Sequence, residues 1–330
     1  MPNQTRLLRA LLGAPIFAAL CACSTVTVRV PVMKPAEINM SPYSSVAVGG
    51  MTGTGGAIAN GLEEALVQTQ RFTVVDRQHL DRIMRELQLS STDLADPHSA
   101  SKLGKVVTAG ALIFGDVNDG YRETPSEERS KDKDGNAHIE FKIHGIYNVR
   151  ATFKVVDVAT GRLLIAKTYE ERREDTNRAT DKRPEAIDRN GLERAARHAV
   201  IERFMKAIVP HQEFANAAFQ KDSDIPQLEG GIGWAERGEW KKAQDAFNGA
   251  ATDAERNVKL KPPQIAKAYW NLGLSYEYAG DYQRAADMIN KAYGFSSDKD
   301  MLRELDNIKQ LEADAKRLAE QTSAEAAGGK

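Results

Sequence analysis

The chain has 330 residues, enough for two domains, and its 45 basic and 46 acidic side chains leave a formal net charge of −1. Charges of both signs are interleaved throughout, so no basic field is present to draw in nucleic acid. Its 2 cysteines, Cys21 and Cys23, both lie near the start, which leaves the rest of the chain without disulfides or thiolate metal sites and dependent on its hydrophobic cores.

Met1 to Arg9 contains arginine but no acid, and Ala10 to Leu20 is apolar apart from breaks at Gly13 and Pro15. This is the charged start and short apolar run of a secretory signal, too short to span a bilayer as a lasting helix. Leu20-Cys21-Ala22-Cys23 then resembles the bacterial lipobox, with a large aliphatic, a small residue and a cysteine in order. Cys21 does not fit the pattern, because Leu20 would occupy the cleavage position. Residues 1–22 are therefore expected to be a lipoprotein signal peptide and Cys23 the lipidated residue. Ser24 follows it, with no Asp to retain the protein at the inner membrane, so the resemblance implies an outer-membrane anchor facing the periplasm. Residues 23–43 are expected to be anchor and extended tether, with Pro31 and Pro35 arguing against a helix.

Residues 44–219 interleave strands and helices, the signature of an α/β layered domain. Ser44 to Val48 reads as a short strand and Gly49 to Gly56 as a glycine-rich loop. Ile58, Leu62, Ala65 and Leu66 fall at helical spacing, Arg71 to Asp76 reads as a strand, and Leu80, Ile83, Met84 and Leu87 line one helix face. Another helix is expected over 99–109 and a buried strand over Ala111 to Val117. Glu123 to Ala137 is so polar that a loop is expected. His138 to Val158 alternates like a strand, and Thr160-Gly161 marks a hairpin turn into Arg162 to Glu170. Leu192 to Phe219 is expected to be one long helix, interrupted at Pro210, with Ala196, Val200, Phe204 and Ile208 as its apolar stripe.

Residues 224–320 change to an all-helical pattern with an internal repeat. Gly231, Trp234, Gly238, Trp240, Ala243, Phe247 and Ala250 recur as Gly273, Tyr276, Gly280, Tyr282, Ala285, Ile289 and Ala292, at a constant offset of 42. The order of small, aromatic and glycine positions resembles the tetratricopeptide repeat, which is usually about 34 residues long, so a longer loop is expected between Ala251 and Pro263. Asp300 to Ala319, with Leu302, Leu305, Ile308 and Leu311, should cap the stack, and residues 321–330 are expected to be a disordered tail. Trp234, Trp240, Tyr269, Trp270, Tyr276 and Tyr282 concentrate aromatic surface here. Most should be helix-packing core, and any facing a groove are candidate partner contacts.

Catalytic chemistry finds no foothold. The loop Gly49 to Gly56 lacks the lysine and hydroxyl of a phosphate-binding loop and does not meet the dinucleotide pattern. The histidines, His79, His98, His138, His144, His198 and His211, have no i, i+4 pair to chelate zinc. Ser90, Ser91 and Ser99 lie in no nucleophile elbow. Asp76, Asp81, Glu86 and Asp93 are interspersed with Arg71, Arg77, Arg82 and Arg85, which reads as surface ion pairing. No catalytic residue, metal or cofactor is expected.

Three stretches, Arg71 to Arg77 (RFTVVDR), Leu80 to Glu86 (LDRIMRE) and Ser90 to Asp93 (SSTD), resemble the curli production assembly/transport lipoprotein family (CsgG/HfaB type). Gly110 to Gly115 (GALIFG) and Val155 to Gly161 (VVDVATG) follow in the family's order. The resemblance spans roughly residues 40–210. Penicillin-binding-protein activators of the LpoB type and the N-terminal domain of TolB look similar at this level. It implies a CsgG-like/TolB-N-like α/β sandwich followed by an all-α, tetratricopeptide-like domain. It also implies a non-enzymatic adaptor or assembly factor for export or assembly of envelope or surface structures. Its expected partners are the outer membrane through the lipid and an envelope protein through the repeats, with a homo-oligomer possible. Two alternatives stay open: an activator of peptidoglycan synthases, and a subunit of an outer-membrane secretion pore. For the pore, Ile139 to Tyr147 alternates, but Glu140, Lys142 and His144 on its other face suit a half-buried soluble sheet equally well.

Overall fold

The structure, a computed structural model, describes residues 25–89 and 110–328 and, between these stretches, Asp93, Asp96, His98, Ser99 and Lys102. The expected signal peptide, Cys23, Ser90, Ser91 and most of the helix expected over 99–109 lie outside the described residues. The elements in chain order are β1 (Thr25–Lys34), β2 (Ser45–Gly53), α1 (Gly56–Thr69), β3 (Thr73–Val75), α2 (Arg77–Glu86), β4 (Ala111–Lys131), β5 (Ala137–Asp157) and β6 (Leu163–Thr180). They continue as α3 (Arg189–Ile208), β7 (His211–Gln220), α4 (Gln227–Ala235), α5 (Trp240–Arg256), α6 (Pro262–Tyr278), α7 (Tyr282–Ser296) and α8 (Lys299–Gly328). The α/β region followed by helices is the class expected from the sequence. The chain divides into two compact units: an α/β unit of residues 33–213 with 313–330, and a helical unit of residues 214–312 with the start of β1 up to Val32.

In the α/β unit five strands run in the order β3–β2–β4–β5–β6. The β2 strand pairs in parallel with β3 and β4, and the two hairpins β4–β5 and β5–β6 are antiparallel. Val46, Ala47 and Val48 are fully buried, because the centre of the sheet is covered on both faces. Successive residues of a strand point to opposite faces. Val46, Val48, Ala111 and Ile113 accordingly join Ile58, Leu62 and Leu66 of α1 and Ala196, Val200 and Phe204 of α3. Ala47, Leu112 and Phe114 join Leu80, Ile83 and Met84 of α2. Phe153 and Phe204 stack with centroids 4.3 Å apart at the heart of the first layer.

The sheet continues past its helical cover. Pairing of β2 with β4 ends at Val117, yet β4 runs on to Lys131, paired with β5 as far as Ala137. At about 3.3 Å per residue the three-stranded part of the sheet, the arm, runs roughly 45 Å beyond Val117, with α3 alongside it as far as Tyr121. The loop expected over 123–137 is therefore strand as far as Lys131, followed by a tight turn with Gly135 at φ +86°. Its charged side chains carry no apolar alternation; the alternating partner β5 imposes the pairing. The helix expected to reach Phe219 also changes character. It ends at Ile208, and after Pro210 the segment His211–Gln220 becomes β7, whose partner is β1. About half of the expected tether is accordingly a strand, with Val28 and Val30 buried.

The helical unit holds two successive helix pairs, α4–α5 and α6–α7. The repeat glycines show why they recur. A Cβ on Gly231 would stand 2.3 Å from the Phe247 ring, and one on Gly273 would stand 2.6 Å from the Ile289 Cδ1, so only glycine lets each pair close. Gly238 and Gly280 end α4 and α6 at φ +71° and +83°, where a side chain would be strained. The extra length of the repeat is mostly helix, since α5 runs to Arg256 and α6 starts at Pro262. The start of α8 covers the last pair, with Met301 and Ile308 buried and Leu302 exposed. In place of a tail from residue 321, α8 continues to Gly328. Its last part belongs to the α/β unit, where the Gln321 amide donates to Ala36 O at 2.9 Å and accepts from Ala36 N at 2.8 Å.

Candidate functional site

The aromatic residues singled out in the repeats separate into two groups. Tyr269 and Trp270 are 5% and 6% exposed and belong to the core. Trp270 Nε1 donates to Ala218 O at 2.8 Å, and Lys291 Nζ donates to the Tyr269 hydroxyl at 2.7 Å while pairing with Glu255 at 2.8 Å. Trp234, Trp240, Tyr276 and Tyr282 are half-buried. Lys242 Nζ lies 4.7 Å from the Trp234 ring centroid, and the Arg284 guanidinium lies 5.5 Å from that of Tyr276. Each cation also pairs with the acid that precedes its helix, Lys242 with Glu239 at 3.4 Å and Arg284 with Asp281 at 3.2 Å. The two clusters repeat at the same offset of 42, so the acid–cation–aromatic triplet is a further repeat feature that reading the apolar positions alone passes over. The result is a set of partly open rings, two of them, Trp234 and Tyr276, under cations, a chemistry that suits contact with another chain.

Below this row the two helix pairs differ. The position of Ala235 in the first unit is Glu277 in the second. Glu277 is 2% exposed. Asn307 Nδ2 donates to Glu277 Oε1 at 3.0 Å and to Glu304 Oε1 at 2.8 Å, while Glu277 Oε2 has no partner among the described residues. Burial, reinforced by the Glu304 charge, pushes the Glu277 carboxyl up to about 9. At neutral pH it is a neutral acid beneath the capping helix.

In the α/β unit the base of the arm is tied to α3. Asp119 Oδ2 accepts from Arg197 Nε at 2.9 Å and Nη2 at 2.7 Å, and from the Tyr147 hydroxyl at 2.5 Å. Burial pulls the Asp119 carboxyl upward, but the hydrogen bonds from Tyr147, Arg197 and Thr54 outweigh it and hold the group below the usual carboxylate range. Burial and the same bond raise the Tyr147 hydroxyl, so the cluster is a fixed ion pair at neutral pH. Beside it lies an open groove of about 680 Å³ between α1 and α3, lined by Ala57, Gly61 and Ala65 on one side and Arg194, His198 and Ile201 on the other. At the far end of the arm His138 bridges Asp181 at 2.6 Å and Asp132 at 3.3 Å. Hydrogen bonds to these two carboxylates raise the imidazole above its ordinary value. Among the described residues no group of three or more His, Cys, Asp or Glu is placed to hold a metal, and no helix is long and apolar enough to cross a membrane.

The fold and this surface define a two-unit protein: an α/β unit carrying a three-stranded arm, and a unit of paired helices with half-buried aromatic side chains at its surface. Residues 34–183, within the α/β unit, match the family model of the curli production assembly/transport component CsgG. No curated protein matches. Solved structures with similarity include lipoprotein GNA1162 from Neisseria meningitidis, at 12% identity over 49% of this chain and 97% of that one, TM-score 0.28. The C-terminal domain of LpoB from Escherichia coli is 18% identical over 39% of this chain and 83% of its own, TM-score 0.23. The PelC dodecamer from Paraburkholderia phytofirmans is 14% identical over 56% of this chain and 99% of its own, TM-score 0.25.

Proposed function

We propose that this protein is a non-enzymatic envelope lipoprotein of the CsgG family, anchored at the outer membrane by Cys23 and facing the periplasm, where it acts as an adaptor in the export or assembly of envelope or surface structures. The observation that carries this reading is the family match over residues 34–183, which takes in the whole arm. The lipobox at Leu20 to Cys23 supports the anchor. The paired helices and cation-covered rings support recruitment of a protein partner through tetratricopeptide-like repeats.

Two observations weigh on the alternatives. An activator that works at a distance from its membrane needs a long tether, and β1 opens at Thr25. A pore strand needs an apolar face toward lipid, where a basic residue at the bilayer midplane costs about 2–4 kcal/mol. In the arm Ile139, Phe141 and Ile143 of β5 lie beside Arg129, Glu127 and Pro125 of β4, so the apolar face is one strand wide.

The test is photocrosslinking in cells from residues beside Trp234 and Tyr276, such as Lys242 and Arg284, followed by identification of the captured chains. Secretion components or surface-fibre subunits support the adaptor. Capture of penicillin-binding proteins would replace it with the synthase-activator reading, and detergent-stable rings seen by electron microscopy would favour the pore. Cys23→Ala should leave the protein unprocessed or soluble in the periplasm; normal outer-membrane fractionation of that variant refutes the anchor.

A further inference from the structure

Only Ser24 stands between Cys23 and the first residue of β1. Two residue steps of extended chain reach at most about 7 Å. With a lipid on Cys23, a reading on which this inference rests, the strand itself is drawn to the bilayer, and the unit it belongs to goes with it. That unit is the helical one. Val28 and Val30 share a core with Ala217 and Phe219 of β7 and with Ile232 and Phe247 of the first helix pair. The other face of the same two strands is open, with Thr25, Thr27 and Arg29 of β1 and Phe214 and Asn216 of β7 all exposed. Phe214 is 56% exposed, and the Arg29 guanidinium sits 4.6 Å from its ring centroid. An aromatic ring left half in water, under a cation able to bind phosphate, suits the headgroup layer of a phospholipid surface. Arg29 lies four positions along the strand from Thr25, roughly 13 Å, so the whole patch is within reach of an anchored Cys23.

We propose that the outward face of the β1–β7 pair, centred on Arg29 and Phe214, lies against the phospholipid surface, so that the lipid pins the helical unit to the membrane. The anchor is then short and oriented.

The experiment uses the full lipidated protein on phosphatidylethanolamine–phosphatidylglycerol vesicles, some carrying a headgroup nitroxide. A polarity-sensitive fluorophore is attached at Asn216→Cys and, in a second preparation, at Thr27→Cys, since the native Cys23 is blocked by its lipid. Both probes should shift to the blue and lose at least half their emission to the nitroxide. A 20-residue glycine–serine insertion after Ser24, combined with Arg29→Glu and Phe214→Ser, should abolish most of that quenching while flotation with the vesicles persists. Protein that floats with both probes unquenched overturns the docked face and leaves the anchor standing. Protein that does not float refutes lipidation of Cys23 and the inference with it.

Discussion

Replacing Glu277 by Gln should make the helical unit more stable, and by an amount that grows with pH. In the unfolded chain the carboxyl ionises near the ordinary value of 4.5, whereas in the folded protein it holds its proton to about 9. Between these values the native state binds the extra proton, so stability falls as pH rises, by about 1.4 kcal/mol per pH unit. Below pH 4.5 both states are protonated and the cost vanishes. At pH 7.5 it amounts to about 4 kcal/mol, against a typical domain stability of about 5–15 kcal/mol. Glutamine keeps the shape and the contact with Asn307 but cannot ionise. Circular-dichroism melts of wild type and Glu277→Gln should coincide within a few degrees near pH 4. They should separate by roughly 15 °C or more at pH 7.5, taking about 4–8 °C per kcal/mol for a unit of this size. A constant offset between the two across pH 4–8.5 would falsify the buried neutral acid.

Gly231→Ala and Gly273→Ala should each cost about 1–3 kcal/mol by forcing Phe247 or Ile289 off its neighbour. Gly249→Ala, where a Cβ meets nothing within 4 Å, should be neutral or gain up to about 1 kcal/mol; equal losses at all three in urea titrations would contradict the close-approach account. Asp119→Ala removes the acceptor of the Tyr147 hydroxyl and one of the two carboxylates paired with Arg197, which keeps Glu193, and should destabilise the α/β unit by about 1–3 kcal/mol, while an unchanged denaturation midpoint would show the pair to be dispensable. The His138 imidazole should titrate above 6.5 by NMR, so its bridge stabilises the arm tip below that pH and is lost as pH rises through the shifted value. Asp181→Asn should bring the midpoint back down, and an unaltered midpoint would exclude the bridge as its cause.

Local patterns were sufficient wherever a residue's role depends on neighbours close in sequence. The alternation of β5, the stripe Ala196, Val200, Phe204 and Ile208, and the glycines at 231, 238, 273 and 280 all state their structural roles in the sequence, because helix and strand periodicities and backbone strain act over a few residues. The run of mixed charge at the end of β4 carries no such pattern, and it becomes a strand only because β5 presents an unpaired edge to it. The segment after Pro210 holds alanine and phenylalanine in an order that a helix accommodates; a partner nearly two hundred residues away, β1, turns it into β7. The candidate surface followed the same division. The six aromatics were identifiable as a cluster, but burial withdraws Tyr269 and Trp270 into the core and leaves the other four half-open, Trp234 and Tyr276 under cations. The sequence by itself determined the class, the order of the two regions, the repeat and the family resemblance. Tertiary structure alone decided the length of the arm, the pairing of β1 with β7 and the burial of Glu277, because strand pairing and desolvation are set by groups that meet only after the chain has folded.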